Sequence, residues 1–152
     1  MLIRPFVASD LVPCARLLRA SASEFIVHAS PREAASTFLR ENDEAGLRGS
    51  LAAGHVYHVA ADEAGPAGFI AIRGNSHVVH LFVDKRWHRQ GLARRLWERA
   101  RATAVARGGD GAFTVDASNH AVPVYAAFGF APTAPTRCSK GLYFTPMRFV
   151  PG

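Results

Sequence analysis

The pattern of apolar and polar positions divides the chain into segments of strand and helix periodicity. Residues Leu2 to Pro5 predict a short first strand, and Ser9 or Asp10 can cap the helix that follows it. Residues 30–33, Ser-Pro-Arg-Glu, have the capping-box spacing and the early proline that mark the start of a second helix. The first helix carries its apolar residues at helical spacing, at Leu11, Ala15, Leu18 and Ala22.

Three short β-rich runs follow, at residues 56–61, 67–73 and 77–83, and glycine-containing turns separate them. Runs of this length with such short connections predict three antiparallel strands in a meander. The third run leads through a basic turn into a helix with one apolar face, which ends at Gly108 and Gly109. That face consists of Leu92, Leu96, Ala100 and Ala104.

A new β-rich run at residues 112–117 comes after this helix. A strand, a long helix and a second strand form a crossover unit, so the two strands should be parallel. A short helix near 121–128 and an alternating run at 142–150 complete the chain. The predicted fold class is therefore α/β, with a mixed sheet in one domain that spans residues 1–152.

Composition adds limits on where the protein works. Of the 152 residues, 49% are hydrophobic and 20% are charged, which is ordinary for a globular domain. No run approaches the length of a membrane span, and the first ten residues lack a signal-peptide pattern. We therefore expect a cytoplasmic protein that does not associate with membranes. Cys14 and Cys138 have no zinc-site or disulfide-framework spacing.

The net charge of +6 favours a polyanionic partner. The stretch from Leu81 to Arg94 joins the end of a strand, a basic turn and the start of a helix, where unpaired main-chain N–H groups attract anions such as phosphate. Nucleic acid is a weaker alternative, because the basic residues are not interleaved with aromatic ones. A metal site is not predicted, since His77 and His80 should point to opposite faces of their strand.

Two motifs carry a resemblance to a known family. The turn His88-Arg89-Gln90-Gly91-Leu92-Ala93 resembles the acyl-coenzyme A motif of the GCN5-related N-acetyltransferases (GNAT), and residues 119–130, NHAVPVYAAFGF, resemble that family's second motif. His88 stands where the family usually has Gln or Arg, and Ala93 stands at the second glycine position. The order of elements also matches: strand, two helices, three strands, helix, strand, helix and two strands.

The resemblance implies an acetyl-coenzyme A site with the fourth and fifth strands parallel and splayed apart. Main-chain groups of Leu81, Phe82 and Val83 would pair with the pantetheine arm, and Val83 or Phe82 N–H would face the thioester carbonyl. Asn119 would contact the pantetheine or adenosine part. The pyrophosphate would lie on the main chain of Arg89, Gln90, Gly91, Leu92, Ala93 and Arg94.

The resemblance also implies the catalytic groups for transfer of an acetyl group to a primary amine. His77 is the first candidate for the base that removes the amine proton. His80 is the second, on the opposite face of the strand unless a bulge changes the parity. Tyr125 would give a proton to the leaving thiolate. Purely structural roles remain open for all three: a hydrogen-bonded histidine in a strand, or a core tyrosine beside Phe128.

The acceptor is a small-molecule or peptide amine, and the sequence does not identify it. In the family, the first two helices and the loop before the last strand shape this site, which indicates Glu24, Phe25 and His28 and the segment 136–141. Glu24 would suit a second amine, whereas Arg137 and Lys140 would suit a carboxylate. Acyl-coenzyme A binding without transfer stays an alternative function, and the oligomeric state is open, a homodimer included.

Overall fold

The computed structural model describes residues 1–25, 32–139 and 141–151. These residues form five helices and an eight-stranded sheet. The helices are α1 (Leu11–Phe25), α2 (Arg32–Glu41), α3 (Glu44–Ala52), α4 (Leu92–Ala106) and α5 (Val122–Phe128). The strands are β1 (Leu2–Pro5), β2 (Val56–Asp62), β3 (Gly65–Arg73), β4 (His77–Val83), β5 (Phe113–Ala117), β6 (Ala131–Pro132), β7 (Arg137–Ser139) and β8 (Leu142–Phe149). Within the described ranges, no helix has both the length and the apolar character needed to cross a membrane.

The sheet has the order β1-β2-β3-β4-β5-β8-β6, and β7 pairs with β8. Only β4 and β5 are parallel among these described neighbours, and their register is limited to His77 with Thr114 and Val78 with Val115. Beyond this short register the two strands separate. The predicted mixed sheet with a parallel, splayed fourth and fifth strand is confirmed.

Helices cover both faces of the sheet, because each face carries its own apolar set. Trp97 of α4 lies at the centre of one core, with ring centroids 4.9 Å from Phe113 and 5.1 Å from Phe130. The second core joins α1 and α3 to β2 and β3, through buried residues that include Leu18, Leu47 and Phe69. Together the two layers fix β4 from both sides.

A β-bulge changes the direction of side chains along β4. Ala71 pairs with His80 whereas Ile72 pairs with Val78, so Val79 is an extra residue in the strand. His80 packs near Phe69 on the α1 face. His77 lies on that same face, because it bonds to Thr114, whose side chain points away from the α4 core. The bulge therefore changes the parity, and His77 and His80 share a face instead of the opposite faces expected of a regular strand.

The sequence also missed one helix. Helix α3 begins after Asp43, whose carboxylate accepts a hydrogen bond from the N–H of Gly46 at 3.0 Å. Two glycines, Gly46 and Gly49, lower the helical propensity of this segment. Gly46 is needed because a Cβ there would overlap the main-chain carbonyl of Glu41. The predicted cap of the second helix at Ser30 lies outside the described residues.

Candidate active site

A cavity of about 740 Å³ lies where β4 and β5 separate. One wall is the end of β4, and the opposite wall is the segment that leads from β5 into α5. The turn before α4 and the first residues of that helix close one side, and Ser21 of α1 reaches the cavity from the other face of the sheet. The splayed strands thus create an opening that connects the two faces.

The turn before α4 has a backbone shape suited to an anion. Arg89 has a φ of 62° and Gly91 a φ of 79°, both left-handed. Left-handed residues at close spacing direct successive N–H groups into a shared concavity, and Gly91 is also the N-cap of α4. A Cβ at Gly91 would meet nothing within 4 Å, so its backbone conformation, not space, favours glycine there.

The end of β4 presents main-chain groups to the cavity. The N–H of Asp84 donates to the carbonyl of Ala67 on β3 at 2.7 Å. Because main-chain groups alternate along an antiparallel strand, those of Phe82 also face β3, whereas those of Leu81 and Val83 face the gap. Of the two N–H groups expected to face the thioester carbonyl, only that of Val83 therefore has a suitable direction.

His88 fastens the turn to this strand end. Its Nε2 donates to the carbonyl oxygen of Val83 at 2.8 Å, which fixes the proton on Nε2 when the ring is neutral. The His88 ring also faces that of His120, with centroids 6.3 Å apart, and both residues line the cavity. His120 did not emerge as a site residue from the sequence, although it lies within the second motif.

Tyr125 lines the cavity from α5. Only 4% of the residue is exposed, and its ring makes edge contacts with Phe128 and Phe130 at centroid distances of 6.0 and 5.2 Å. Burial raises the pKa of Tyr125, so its hydroxyl keeps its proton at neutral pH. The tyrosine is thus a core residue and a cavity residue at once, and the two roles are compatible.

Arg94 connects the helices on either side of the cavity. Its guanidinium donates to the carbonyl of Ala127 at 2.9 Å and lies 5.2 Å from the ring centre of Phe128. Arg89, Gly91, Leu92 and Ala93 also line the cavity. Gln90 is not among the described lining residues, and its side chain donates to the carbonyl of Arg86 at 3.0 Å.

Neither histidine expected to act as the base is among the described residues that line the cavity. Nδ1 of His77 lies 2.8 Å from Oγ1 of Thr114, where β4 and β5 are still paired. His80 is 8% exposed and packs beside Phe69 and Phe82. Burial lowers the pKa of His80 to about 4, so this ring is neutral at pH 7.

Asn119 and its two neighbours differ in whether they line the cavity. Ser118 and His120 line the cavity, whereas Asn119 between them is absent from the described lining. The carbonyl of Ser118 accepts hydrogen bonds from Ala121 and Val122 N–H at 2.9 and 3.1 Å, and this turn decides which side chains face inwards. The contact with coenzyme A that was expected of Asn119 stays a prediction.

The residues expected to shape the acceptor site are only partly described. Oε1 of Glu24 lies 2.7 Å from Nζ of Lys85, at the end of α1 next to the cavity residue Ser21. Arg137 is exposed on β7 and lies over the ring of Phe144. The Phe25 side chain, His28 and Lys140 lie outside the described part of the chain. Within that part, no three His, Cys, Asp or Glu side chains are grouped to hold a metal ion.

Comparison with known families and structures gives a consistent result. The family model of the acetyltransferase (GNAT) domain matches residues 23–151. A GCN5-related N-acetyltransferase from Rhodopseudomonas palustris is 25% identical and superposes with a TM-score of 0.81, over 97% of this chain and 94% of that one. No curated protein matches the chain in sequence.

Two further solved structures share the fold at lower identity. PaiA N-acetyltransferase from Thermoplasma acidophilum, solved with coenzyme A, is 16% identical with a TM-score of 0.79, over 97% of each chain. The ribosomal-protein-S18-alanine N-acetyltransferase from Escherichia coli is 21% identical with a TM-score of 0.65, over 97% of this chain and 92% of that one. These similarities concern the fold.

Proposed function

Because the chain belongs to the GNAT acetyltransferase family, we propose that it transfers an acetyl group from acetyl-coenzyme A to a primary amine by direct attack. One observation carries this proposal: a single cavity joins the anion-binding turn at Gly91, the open strand edge at Leu81 and Val83, and the phenol of Tyr125. Those three features suit the phosphates, the amides and the thiol of one extended substrate.

In this proposal, a different part of the cavity binds each chemical group of coenzyme A. Main-chain N–H groups of the turn from Arg89 to Gly91, at the positive end of α4, hold the pyrophosphate. The free edge of β4 pairs with the pantetheine amides as an added strand would. The N–H of Val83 stabilises the carbonyl oxygen as negative charge develops on it. The net charge of +6 increases the rate at which such an anion arrives.

Tyr125 supplies the proton that the leaving sulfur needs. Its raised pKa keeps the phenol protonated at neutral pH, and the buried ring holds the hydroxyl in one place. An acceptor amine with a pKa near 10.4 is almost wholly protonated at pH 7, so a base must also act.

The acceptor reaches the cavity from the α1 side in this proposal. Ser21 lines the cavity, and Glu24, one turn further along α1, acts electrostatically on the cavity residue His120. The acceptor is a small molecule or a peptide, and a positive charge on it besides the reacting amine would take the place of Lys85 at the Glu24 carboxylate. One domain, a cytoplasmic location and the absence of a nucleic-acid partner remain predictions.

The test combines binding with turnover. Calorimetric titration with acetyl-coenzyme A should show saturable binding, and release of free coenzyme A should depend on an added amine from a panel of cadaverine, spermidine, lysine and kanamycin. Binding without amine-dependent release would favour the alternative of an acyl-coenzyme A-binding protein. An absence of binding would refute both functions.

A further inference from the structure

Among the described histidines, His88 and His120 are the two that line the cavity. His120 is exposed, and it precedes α5 in the turn that also presents Ser118. On the far side stands His88, whose ring centre is 6.3 Å away and whose Nε2 is bonded to Val83. Glu24 of α1 also acts on His120 electrostatically. His120 therefore stands between the strand edge and the acceptor side of the cavity.

His77 and His80 lack this access. The first is hydrogen-bonded to Thr114 within the paired part of β4 and β5, and the second packs among aromatic rings. Both remaining histidines line the cavity, but His88 is half-buried whereas His120 is exposed. His120 is thus the cavity histidine whose ring is more accessible to an incoming amine.

We propose that His120 is the catalytic residue that takes the proton from the acceptor ammonium, a role that rests on the acetyl transfer proposed above. His88, which holds the carbonyl of Val83, is the positioning residue across the cavity. These roles give the reaction a base on the acceptor side and an acid, Tyr125, within the core.

The charged groups around His120 suit this role. Partial desolvation lowers the pKa of His120, His88 lowers it further, and Glu24 raises it in part. Lys85 faces Glu24, and Arg89 and Arg94 line the cavity on the α4 side. The lowered pKa of His120 favours the neutral ring that a proton acceptor needs.

Two protons leave the acceptor nitrogen during the proposed transfer. His120 accepts one proton from the ammonium, which frees the nitrogen lone pair to form the new nitrogen–carbon bond. As the carbon–sulfur bond breaks, its electron pair passes to sulfur, and Tyr125 gives that sulfur a proton. The second proton leaving nitrogen restores Tyr125, and His120 releases the first to solvent. The products are an amide, free coenzyme A and one proton.

The experiment compares wild type with His120→Gln and with a matched control, His55→Gln, which changes a histidine outside the described cavity lining. The readout is kcat/KM for coenzyme A release between pH 5 and 9, with whichever of cadaverine, spermidine, lysine or kanamycin wild type uses best. Acetyl-coenzyme A affinity and thermal unfolding are measured for all three proteins.

We expect His120→Gln to bind acetyl-coenzyme A normally, to lose about a hundredfold or more in kcat/KM at pH 7, and to lose the acid limb of the pH profile below 6.5. The His55→Gln profile should keep the wild-type shape. A wild-type rate and pH profile in His120→Gln would overturn the role of His120 while leaving the transfer intact. If wild type released no coenzyme A with any of the four amines, the transfer itself would fall, and the role of His120 with it.

Discussion

The Nε2–H of His88 is bonded to the main-chain carbonyl of Val83 at 2.8 Å. This contact connects the turn before α4 to the edge of β4, the two parts of the site that hold opposite ends of coenzyme A in the proposed function. It also gives a physical role to the residue that departs from the family motif. A side chain at this position acts on the protein main chain as a donor, so it need not touch the substrate.

His88→Gln and His88→Ala should therefore differ. Glutamine keeps an N–H donor for Val83, whereas alanine leaves the carbonyl without it, and a hydrogen bond of this kind contributes about 1 kcal/mol. We expect acetyl-coenzyme A affinity to fall roughly fivefold in His88→Ala and to change little in His88→Gln, by calorimetric titration. Equal losses in both variants would argue for a contact that only an imidazole can make.

Charge reversal in the turn before α4 should lower the affinity for acetyl-coenzyme A, whereas the same charge change at the other end of α4 should not. Arg89→Glu with Gly91→Asp adds negative charge and strains a left-handed backbone position, so binding of acetyl-coenzyme A should be abolished. Arg107→Glu with Gly108→Asp is the matched control, because it makes the same charge change at a left-handed glycine beyond the other end of α4. Similar affinity in the two double variants would place the phosphates elsewhere.

Tyr125→Phe should separate chemistry from binding. The ring contacts with Phe128 and Phe130 survive this change, while the proton donor is lost. We expect kcat for coenzyme A release to fall about a hundredfold with an unchanged acetyl-coenzyme A affinity. Tyr143→Phe, at a residue that is 46% exposed on β8, serves as the control. Full turnover by Tyr125→Phe would remove the general-acid role.

The buried His80 predicts a loss of stability in acid. Its pKa is about 4 in the folded chain against 6.5 for a free histidine, so below pH 6.5 the unfolded chain binds a proton that the folded chain excludes. The free energy of unfolding should be constant above pH 6.5 and should decrease as the pH drops below it. His80 should account for a decrease of about 3 kcal/mol at pH 4. Urea unfolding of wild type and His80→Gln should show a smaller pH slope in the variant. Parallel slopes would mean that His80 is not the group responsible.

The sequence predicted much of the frame of the site. The β-rich run at residues 77–83 predicted the bounds of β4 correctly, and the crossover spacing predicted its parallel pairing with β5. The sequence left a bulge in this strand open but did not locate it at Val79, because an extra residue is identified only when the register with the partner strand is known. Because Val79 is an extra residue in β4, His77 and His80 lie on the same face of the sheet.

The cavity residues were harder to predict because they depend on turn geometry. Ser118, Asn119 and His120 are adjacent polar residues in a segment without periodicity, so their directions follow from the turn that Ser118 closes with Ala121. His120 could have been singled out from its place inside the second motif. Its proximity to His88, more than thirty residues earlier in the chain, depends on how the turns before α4 and α5 meet.

The most direct test of the account follows the acetyl group itself. Acetyl-coenzyme A labelled in the acetyl carbon is incubated with the protein and the panel of amines, and the products are identified by mass spectrometry. The account predicts that the label appears as an amide on an acceptor amine, in amounts equal to the coenzyme A released. Label that stays on coenzyme A, or that is recovered only as free acetate, would contradict it.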